Sequence, residues 1–283
     1  MLRVLTFAVL AALQPWSTAT ADPLCGAAQT PCEIDGGSYH MAVPEGWDGA
    51  SPLPAIVFFH GHRSSGKSVL KGSIQATFGT DYAIIAPNGP KSPRGDYRFW
   101  PARPQTDPIR DNIAFLEAVV ADAADRVALD RGRILVGGFS AGGSMAWRVA
   151  CQRGGAFAGY VSVAGALRRP VPDDGCPGGP ANLLHIHGFN DAQVPFEGRQ
   201  IRDWHQGDVF ESLGLIRAAN ACRSNPHVIE VGAPFSCRRW NACASGAEVE
   251  LCLHDGGHGL PKGWAAHAKS WFEELPDPGP TPN

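Results

Sequence analysis

The chain lacks the long apolar runs, the charge excess and the short cysteine pairs that would each indicate a particular class of protein. After residue 21, no stretch approaches the ~20 consecutive apolar residues that a membrane-spanning helix needs. Lys and Arg total 24 against 27 Asp and Glu, so no surplus of positive charge would attract nucleic acid or anionic lipid. No CxxC pair is present, which argues against a cysteine zinc site. We therefore expect neither a membrane anchor nor a nucleic-acid partner.

The first 21 residues have the features of a secretory signal peptide. Arg3 precedes an apolar run from Val4 to Leu13, and Ala19-Thr20-Ala21 offers a cleavage site before Asp22. The chain contains 8 cysteines, all beyond this segment, which suits an oxidising compartment and up to four disulfides. The natural pairs are Cys25 with Cys32, Cys151 with Cys176, and two more within the group Cys222, Cys237, Cys243 and Cys252, whose connectivity stays open. We expect a protein exported to the periplasm or the cell exterior.

The remaining residues alternate between strand-like and helix-like patterns, without an internal repeat or long linker. The apolar run Leu53–Phe59 is typical of a strand covered on both faces. Further strands are predicted at 37–43, 82–86, 134–136, 160–163, 183–186 and 249–253, and helices within 64–78, 109–127, 141–151, 208–221 and 264–275. Strands separated by helices predict an α/β fold with a mainly parallel sheet. We expect one domain over residues 22–275 and a proline-rich, flexible tail over 276–283.

Between a predicted strand and a predicted helix lies Gly138-Phe139-Ser140-Ala141-Gly142, a GxSxG pattern. In a nucleophile elbow the serine occupies a strained turn, and the two glycines let strand and helix approach closely. The pattern occurs by chance in a chain with 34 Gly, so its context must decide. Ser140 is the candidate nucleophile.

An acid and a base follow in loops at the ends of two later strands. Asp191 follows the strand at 183–186, and His258 lies in the glycine-rich loop after the strand at 249–253. The order serine, acid, histidine is that of the α/β-hydrolases. His258 would accept the serine proton, and Asp191 would fix the imidazole tautomer. His185, His187 and His254 are rivals, but His258 is preferred because its loop can deliver a side chain to the site.

Acyl transfer also needs two donors for the developing oxyanion. The backbone N–H of Ala141 is one candidate, and the loop after Phe59 offers that of His62, with Gly61 as the alternative. His60 with His62, and His185 with His187, form HxH pairs that raise a metallohydrolase as an alternative. No carboxylate pattern accompanies either pair, so we expect no metal and no other cofactor.

Five motifs, four of them around candidate site residues, stand out in the chain: FFHGHRSSG (58–66), RDNIAFLEAVV (110–120), GGFSAGGSMAWRVAC (137–151), HGFNDAQVPFEG (187–198) and HDGGHG (254–259). Together they resemble the secreted esterases grouped as polyhydroxybutyrate depolymerases and feruloyl esterases. The resemblance covers 25–272. It implies an α/β-hydrolase fold, a Ser140–Asp191–His258 triad and a structural disulfide at Cys151. Such enzymes often carry cysteine at the position of His62 and aspartate at that of Asn112, and these departures leave the substrate open.

These observations predict a secreted serine esterase that needs no cofactor. The resemblance implies polyester oligomers or feruloyl and acetyl esters of plant polysaccharide as substrates. Trp100, Phe139 and Trp240 are candidates for an aromatic cleft, together with Trp147 and Trp264, although such side chains are more often part of a core. The alternatives are a serine peptidase or amidase, a metal-dependent hydrolase and a non-catalytic binding protein. We expect a monomer.

Overall fold

The computed structural model describes Cys25 and residues 30–102, 109–202 and 204–276. The predicted signal peptide and the end of the predicted tail lie outside these residues. Within them, no helix is both long and apolar enough to cross a bilayer.

The strands are β1 (Cys32–Ile34), β2 (Gly37–Ala42), β3 (Leu53–Phe59), β4 (Ala83–Pro87), β5 (Leu129–Phe139), β6 (Gly159–Val163), β7 (Leu183–Gly188), β8 (Gln200–Ile201), β9 (Trp204–His205), β10 (Val228–Glu230), β11 (Ser236–Trp240) and β12 (Val249–His254). The helices are α1 (Gly66–Val69), α2 (Gly72–Phe78), α3 (Asn112–Arg126), α4 (Ala141–Gln152), α5 (Val209–Ala219) and α6 (Trp264–Glu274), with a 3₁₀ turn at Gly154–Ala156.

Ten of the strands form one sheet in the order β1-β2-β4-β3-β5-β6-β7-β12-β11-β10. The six central strands, from β4 to β12, run parallel, while both flanks are antiparallel. Strands β8 and β9 form a separate hairpin. The predicted α/β class with a mainly parallel sheet is confirmed.

Side chains of the central strands alternate between two buried layers. Along β3, Ala55, Val57 and Phe59 belong to the core on one face, and Ile56 and Phe58 belong to the core on the other. The first core contains side chains of α3, α4 and α5, and the second contains those of α1, α2 and α6. Because successive residues of a strand point to opposite faces, a continuous apolar run is what a doubly covered strand requires.

Helix boundaries differ from the predicted ones where capping residues intervene. Helix α3 starts at Asn112 rather than at residue 109, because the Asp111 side chain accepts the N–H groups of Ile113 and Ala114 at 2.9 and 3.2 Å. The predicted helical segment 64–78 is two helices, α1 and α2, separated by Leu70 and Lys71, and Gly72, the first residue of α2, has a φ of +63°. The flanking strands β1, β10 and β11 and the β8–β9 hairpin were not predicted, since they are short and carry no extended apolar pattern.

All eight cysteines form disulfides. The pairs Cys25–Cys32 and Cys151–Cys176 agree with the prediction. The open group resolves into Cys222–Cys243 and Cys237–Cys252. The latter joins directly opposed residues of β11 and β12.

We expect the disulfides to differ in their contribution to stability according to the loops that they close. Cys151–Cys176 spans 25 residues and Cys25–Cys32 spans 7. Loop-closure entropy in the unfolded chain then predicts losses of about 3.5 and about 2.4 kcal/mol when each pair is replaced by alanines. Urea unfolding of the two double variants measures both values. A larger loss for the Cys25–Cys32 variant would contradict the expectation.

Candidate active site

Ser140 lies at the turn between β5 and α4, in a conformation that residues with side chains rarely adopt. Its φ is +58° and its ψ is −116°. Its N–H donates to the carbonyl of Val163 at 2.9 Å, which joins the turn to the neighbouring strand β6. Positive φ at a non-glycine residue costs on the order of 1–3 kcal/mol and persists only where the surroundings enforce it. The strand–turn–helix context required of a nucleophile elbow is therefore present.

The two glycines of the motif are required by close backbone contacts. A Cβ at Gly138 would lie 2.2 Å from the carbonyl oxygen of Gly142. A Cβ at Gly142 would lie 2.0 Å from the carbonyl oxygen of Phe59, at the end of β3. Real Cβ atoms do not approach other atoms so closely, because van der Waals repulsion is prohibitive. The start of α4 is thus packed directly against the loop that follows β3.

The His258 imidazole lies between Ser140 and Asp191. Its Nε2 is 2.8 Å from the Ser140 Oγ, and its Nδ1 is 2.8 Å from the Asp191 Oδ2. The three side chains come from the ends of three strands of the same sheet, β5, β7 and β12, so their carboxyl-terminal edge brings together groups far apart in sequence. Phe139 lies beside them, with its ring centroid 5.1 Å from that of His258.

The Asp191 carboxylate is buried and fully supplied with donors. Its Oδ1 accepts the N–H groups of Gln193 and Val194 at 2.9 and 2.8 Å, and its Oδ2 contacts His258. Burial alone would raise the pKa of Asp191, but the hydrogen bonds from His258 and Val194 outweigh it and hold the pKa below its usual value. The carboxylate is therefore ionised at neutral pH and can fix the His258 tautomer with Nδ1 protonated.

A pair of buried histidines supports the loop that carries Asp191. The His187 Nε2 donates to the carbonyl of Val194 at 2.8 Å. Since a carbonyl only accepts, the His187 Nδ1 is unprotonated and accepts from the His185 Nε2 at 3.0 Å. Burial lowers the pKa of both imidazoles. These two rivals to His258 thus lie beneath the site as neutral side chains.

The third rival, His254, ends β12 and does not reach the serine. Its Nδ1 accepts the N–H of Gly256 at 3.1 Å, and its ring packs against Phe235. Burial is the main cause that lowers its pKa.

The loop after β3 holds the candidate oxyanion donor His62 in place through His60. The His60 Nε2 accepts the N–H of Gly89 at 3.0 Å, so its Nδ1 carries the proton and donates to the carbonyl of Gly61 at 2.7 Å. In a trans peptide the N–H points opposite to the carbonyl, and the N–H of His62 consequently points away from His60. Burial lowers the pKa of His60 to about 4, which keeps the imidazole neutral. Among the described residues, neither the His62 N–H nor that of Ala141 donates to a protein acceptor.

Two of the three predicted aromatic substrate contacts are wrong. Trp100 is 1% exposed and packs behind the oxyanion loop against Phe59 and His60. Trp240 pairs with Val249 at the start of β12, the end of that strand opposite His258. Phe139 alone lies at the triad. Trp147 and Trp264 are fully buried core residues.

The HxH pairs do not form metal-binding groups within the part of the chain that the structure describes. Both ring nitrogens of His60 bond to backbone groups, and His62 packs against Tyr97 instead. The described residues contain one cluster of potential metal ligands, formed by Cys237, Glu250, Cys252 and His267. Its two cysteines are joined as a disulfide, so their sulfurs are not thiolate ligands.

The solved structures that resemble this fold include two esterases. The acetyl xylan esterase from Aspergillus awamori has a TM-score of 0.63 and 14% identity, and the match covers 89% of this chain and 97% of that one. A Bacillus cereus carboxylesterase has a TM-score of 0.54 and 17% identity, with coverage of 84% and 94%. At such identities the likeness establishes the α/β-hydrolase fold.

Proteins similar in sequence include several feruloyl esterases. No family model matches the chain. Feruloyl esterase C of Emericella nidulans is 28% identical over 245 residues, which cover 82% of this chain and 80% of that protein. A probable feruloyl esterase C of Aspergillus terreus is 28% identical over 244 residues, with coverage of 81% and 79%. The chain is thus similar to feruloyl esterases over about four fifths of its length. In this chain Ser140, Asp191 and His258 lie together at the strand ends where the α/β-hydrolase fold assembles a hydrolytic site.

The sequence did not reveal the supporting roles of His60, His185 and His187. The signal was present, since HxH on a strand places both imidazoles on one face, but we interpreted it only as a possible metal motif. Their partners are backbone groups of Gly61, Gly89 and Val194. Such contacts have no sequence signature.

We expect His60 to make the stability depend on pH in acid. The imidazole of the unfolded chain takes up a proton as the pH falls below its ordinary pKa of 6.5, whereas the folded one does so only near 4. The contribution of His60 to the free energy of unfolding is therefore fully present above pH 6.5 and falls by about 3 kcal/mol as the pH drops to 4.

Urea unfolding at intervals across this pH range, for the wild type and His60→Gln, measures the effect. Gln can accept the Gly89 N–H but does not titrate, so the variant should show a shallower loss of stability. Identical slopes for the two proteins would contradict the assignment.

Proposed function

We propose that the protein is a serine esterase that forms an acyl-enzyme on Ser140. The observation that carries this proposal is the His258 imidazole placed 2.8 Å from both the Ser140 Oγ and the Asp191 Oδ2. A serine hydroxyl is a weak nucleophile until a base takes its proton. Here the Oγ–H can donate to the His258 Nε2, while the Nδ1–H remains bonded to an ionised carboxylate that stabilises the imidazolium.

In the first half-reaction, the Ser140 Oγ attacks the acyl carbonyl of the ester as its proton passes to the His258 Nε2. The carbonyl oxygen becomes an oxyanion that accepts the backbone N–H groups of His62 and Ala141. The intermediate then collapses, the carbon–oxygen bond to the alcohol breaks, and His258 returns the proton to the departing alkoxide. The products of this step are the free alcohol and an ester on Ser140.

In the second half-reaction, His258 takes a proton from water, and the hydroxide attacks the acyl-enzyme carbonyl. The same donors stabilise the oxyanion, and collapse releases the acid while the proton returns to the Ser140 Oγ. The fixed donors cost no reorganisation, because the helix start and the His60-braced loop already hold them. Phe139, beside His258, is the aromatic side chain placed to contact the acyl group.

The proposed substrates are carboxylic esters, with feruloyl or acetyl esters of plant polysaccharide favoured by the feruloyl esterase relatives and hydroxybutyrate oligomers as the second class. We further propose that the protein is secreted. The four disulfides and the signal-like segment before Asp22 support export, since disulfides persist in oxidising compartments. A panel of methyl ferulate, acetylated xylan and hydroxybutyrate oligomers would rank these classes.

Ser140→Ala is expected to lower kcat on p-nitrophenyl acetate by about 10⁴-fold or more, because no attacking oxygen remains. Ser144→Ala, one turn later in α4, serves as the matched control and should keep most of the activity. Circular dichroism and the unfolding midpoint check that both variants fold. Near-normal turnover by folded Ser140→Ala protein would remove the proposal.

A chelator should leave the activity unchanged, because the proposed steps use only protein groups and water. The rate on p-nitrophenyl butyrate is compared before and after dialysis against EDTA. Loss of activity that zinc restores would favour the metal-dependent alternative instead.

A further inference from the structure

A polar cavity of about 440 Å³ opens beside the candidate oxyanion loop. One wall is the segment directly after His62, with Arg63 and three serines, and the other is the hairpin closed by the Lys91–Arg98 bridge. The walls meet where the His62 ring packs edge-on against Tyr97, with centroids 5.0 Å apart. Arg63, which lines the cavity, directly follows the proposed oxyanion donor His62. Because successive Cα atoms are about 3.8 Å apart, the cavity begins one residue from that donor.

The charged side chains of this cavity carry a surplus of positive charge. Arg63, Lys91 and Arg98 line it, against one carboxylate, Asp96. The Arg98 guanidinium bonds to the neutral carbonyl of Gly89. Within the described ranges, none of the three cations forms an ion pair. The chain as a whole has a formal charge of −3, so this positive charge is local and would draw an anion to one side of the site.

The uncharged lining groups suit a hydroxylated ligand. Ser64, Ser65 and Ser68 contribute hydroxyl groups, and Tyr97 contributes a half-buried ring with Arg63 4.9 Å from its centroid. The Ser64 and Ser68 hydroxyls bond to each other, and the Ser68 hydroxyl also lies 2.6 Å from the Ser65 carbonyl oxygen. An apolar acyl chain would cover the charged groups of Arg63 and Lys91 without offering them a partner, which is costly. A carboxylate can instead accept charge-assisted hydrogen bonds from a guanidinium fork and an ammonium group.

We propose that this cavity binds a carboxylate carried by the ester substrate on the part that extends from the triad past His62. This inference rests on the proposed esterase function. The carboxylate can come from two sources: the acid group of a uronic acid in a polysaccharide, or the free end of a hydroxy-acid oligomer. In either case the subsite contributes substrate binding, and Ser140 remains the reacting group.

Lys91→Gln is the first test, because Lys91 lies on the hairpin, away from the oxyanion loop. The readout is the ratio of kcat/KM for a carboxylate substrate to that for its neutral counterpart. One pair is O-acetyl glucuronic acid and O-acetyl glucose, and the other is a hydroxybutyrate dimer and its methyl ester. We expect the ratio to fall about fivefold in Lys91→Gln, the upper range for an exposed charge pair, and to fall also in Arg63→Gln.

Arg94→Gln is the matched control. Arg94 is exposed on the same hairpin but does not line the cavity, so its removal changes the net charge equally and should leave the ratio unaltered. The wild-type ratio should also fall as salt rises from low ionic strength to 0.5 M, because screening weakens an exposed ion contact. The substrate pair that shows these changes identifies the source of the carboxylate.

A ratio that stays constant in both cavity variants, or that changes equally in Arg94→Gln, would overturn the subsite. Calorimetric titration of Ser140→Ala protein with glucuronate, and of the double variant Ser140→Ala/Lys91→Gln, measures binding without turnover. Weaker binding in the double variant supports the subsite, and equal binding contradicts it. Hydrolysis by Ser140→Ala itself would instead count against the serine mechanism, so the two failures remain distinct.

Discussion

Helix α4 and strand β3 approach each other so closely at Gly142 that the carbonyl of Phe59 leaves no room for a Cβ on residue 142. This contact places the start of the helix beside the loop that carries His62 and enforces the strained turn at Ser140. The candidate donor loop, the start of α4 and the candidate nucleophile Ser140 thus share one fixed geometry. The acid and the histidine join them from β7 and β12, strands of the same sheet, whose parallel pairing aligns their ends. Preorganisation of this kind is the principal electrostatic contribution of an enzyme to acyl transfer.

Three neutral imidazoles support the loops around the candidate site. His60 holds the loop that carries His62, and His185 with His187 holds the loop that carries Asp191. Because burial lowers the pKa of each, they add hydrogen bonds without adding positive charge near His258. A charged neighbour there would oppose formation of the imidazolium. The chain therefore uses the same residue type for two purposes, and depth of burial separates them.

The sequence was sufficient for the central strands and helices, for two disulfides and for placing Ser140, Asp191 and His258 at strand ends in the order of a known fold. These depend on local pattern and chain order, which a sequence displays. The flanking strands β10 and β11 were missed because three to five mixed residues carry no periodicity. Trp100 and Trp240 were misassigned because strand register and long-range packing decide which end of the sheet a tryptophan meets. The partners of His60 and His187 are backbone groups, so no side-chain motif marks them.

Helix α4 is fixed at both of its ends. At its start the backbone of β3 abuts Gly142, and at its end Cys151 is joined to Cys176 and its carbonyl accepts the N–H of Gly178. A helix tethered in this way can neither slide along its axis nor unwind from its last turn without breaking a covalent bond or a packed contact. Ser140 is therefore attached to a helix that is anchored at both ends, which limits how far its backbone can shift without breaking one of these contacts.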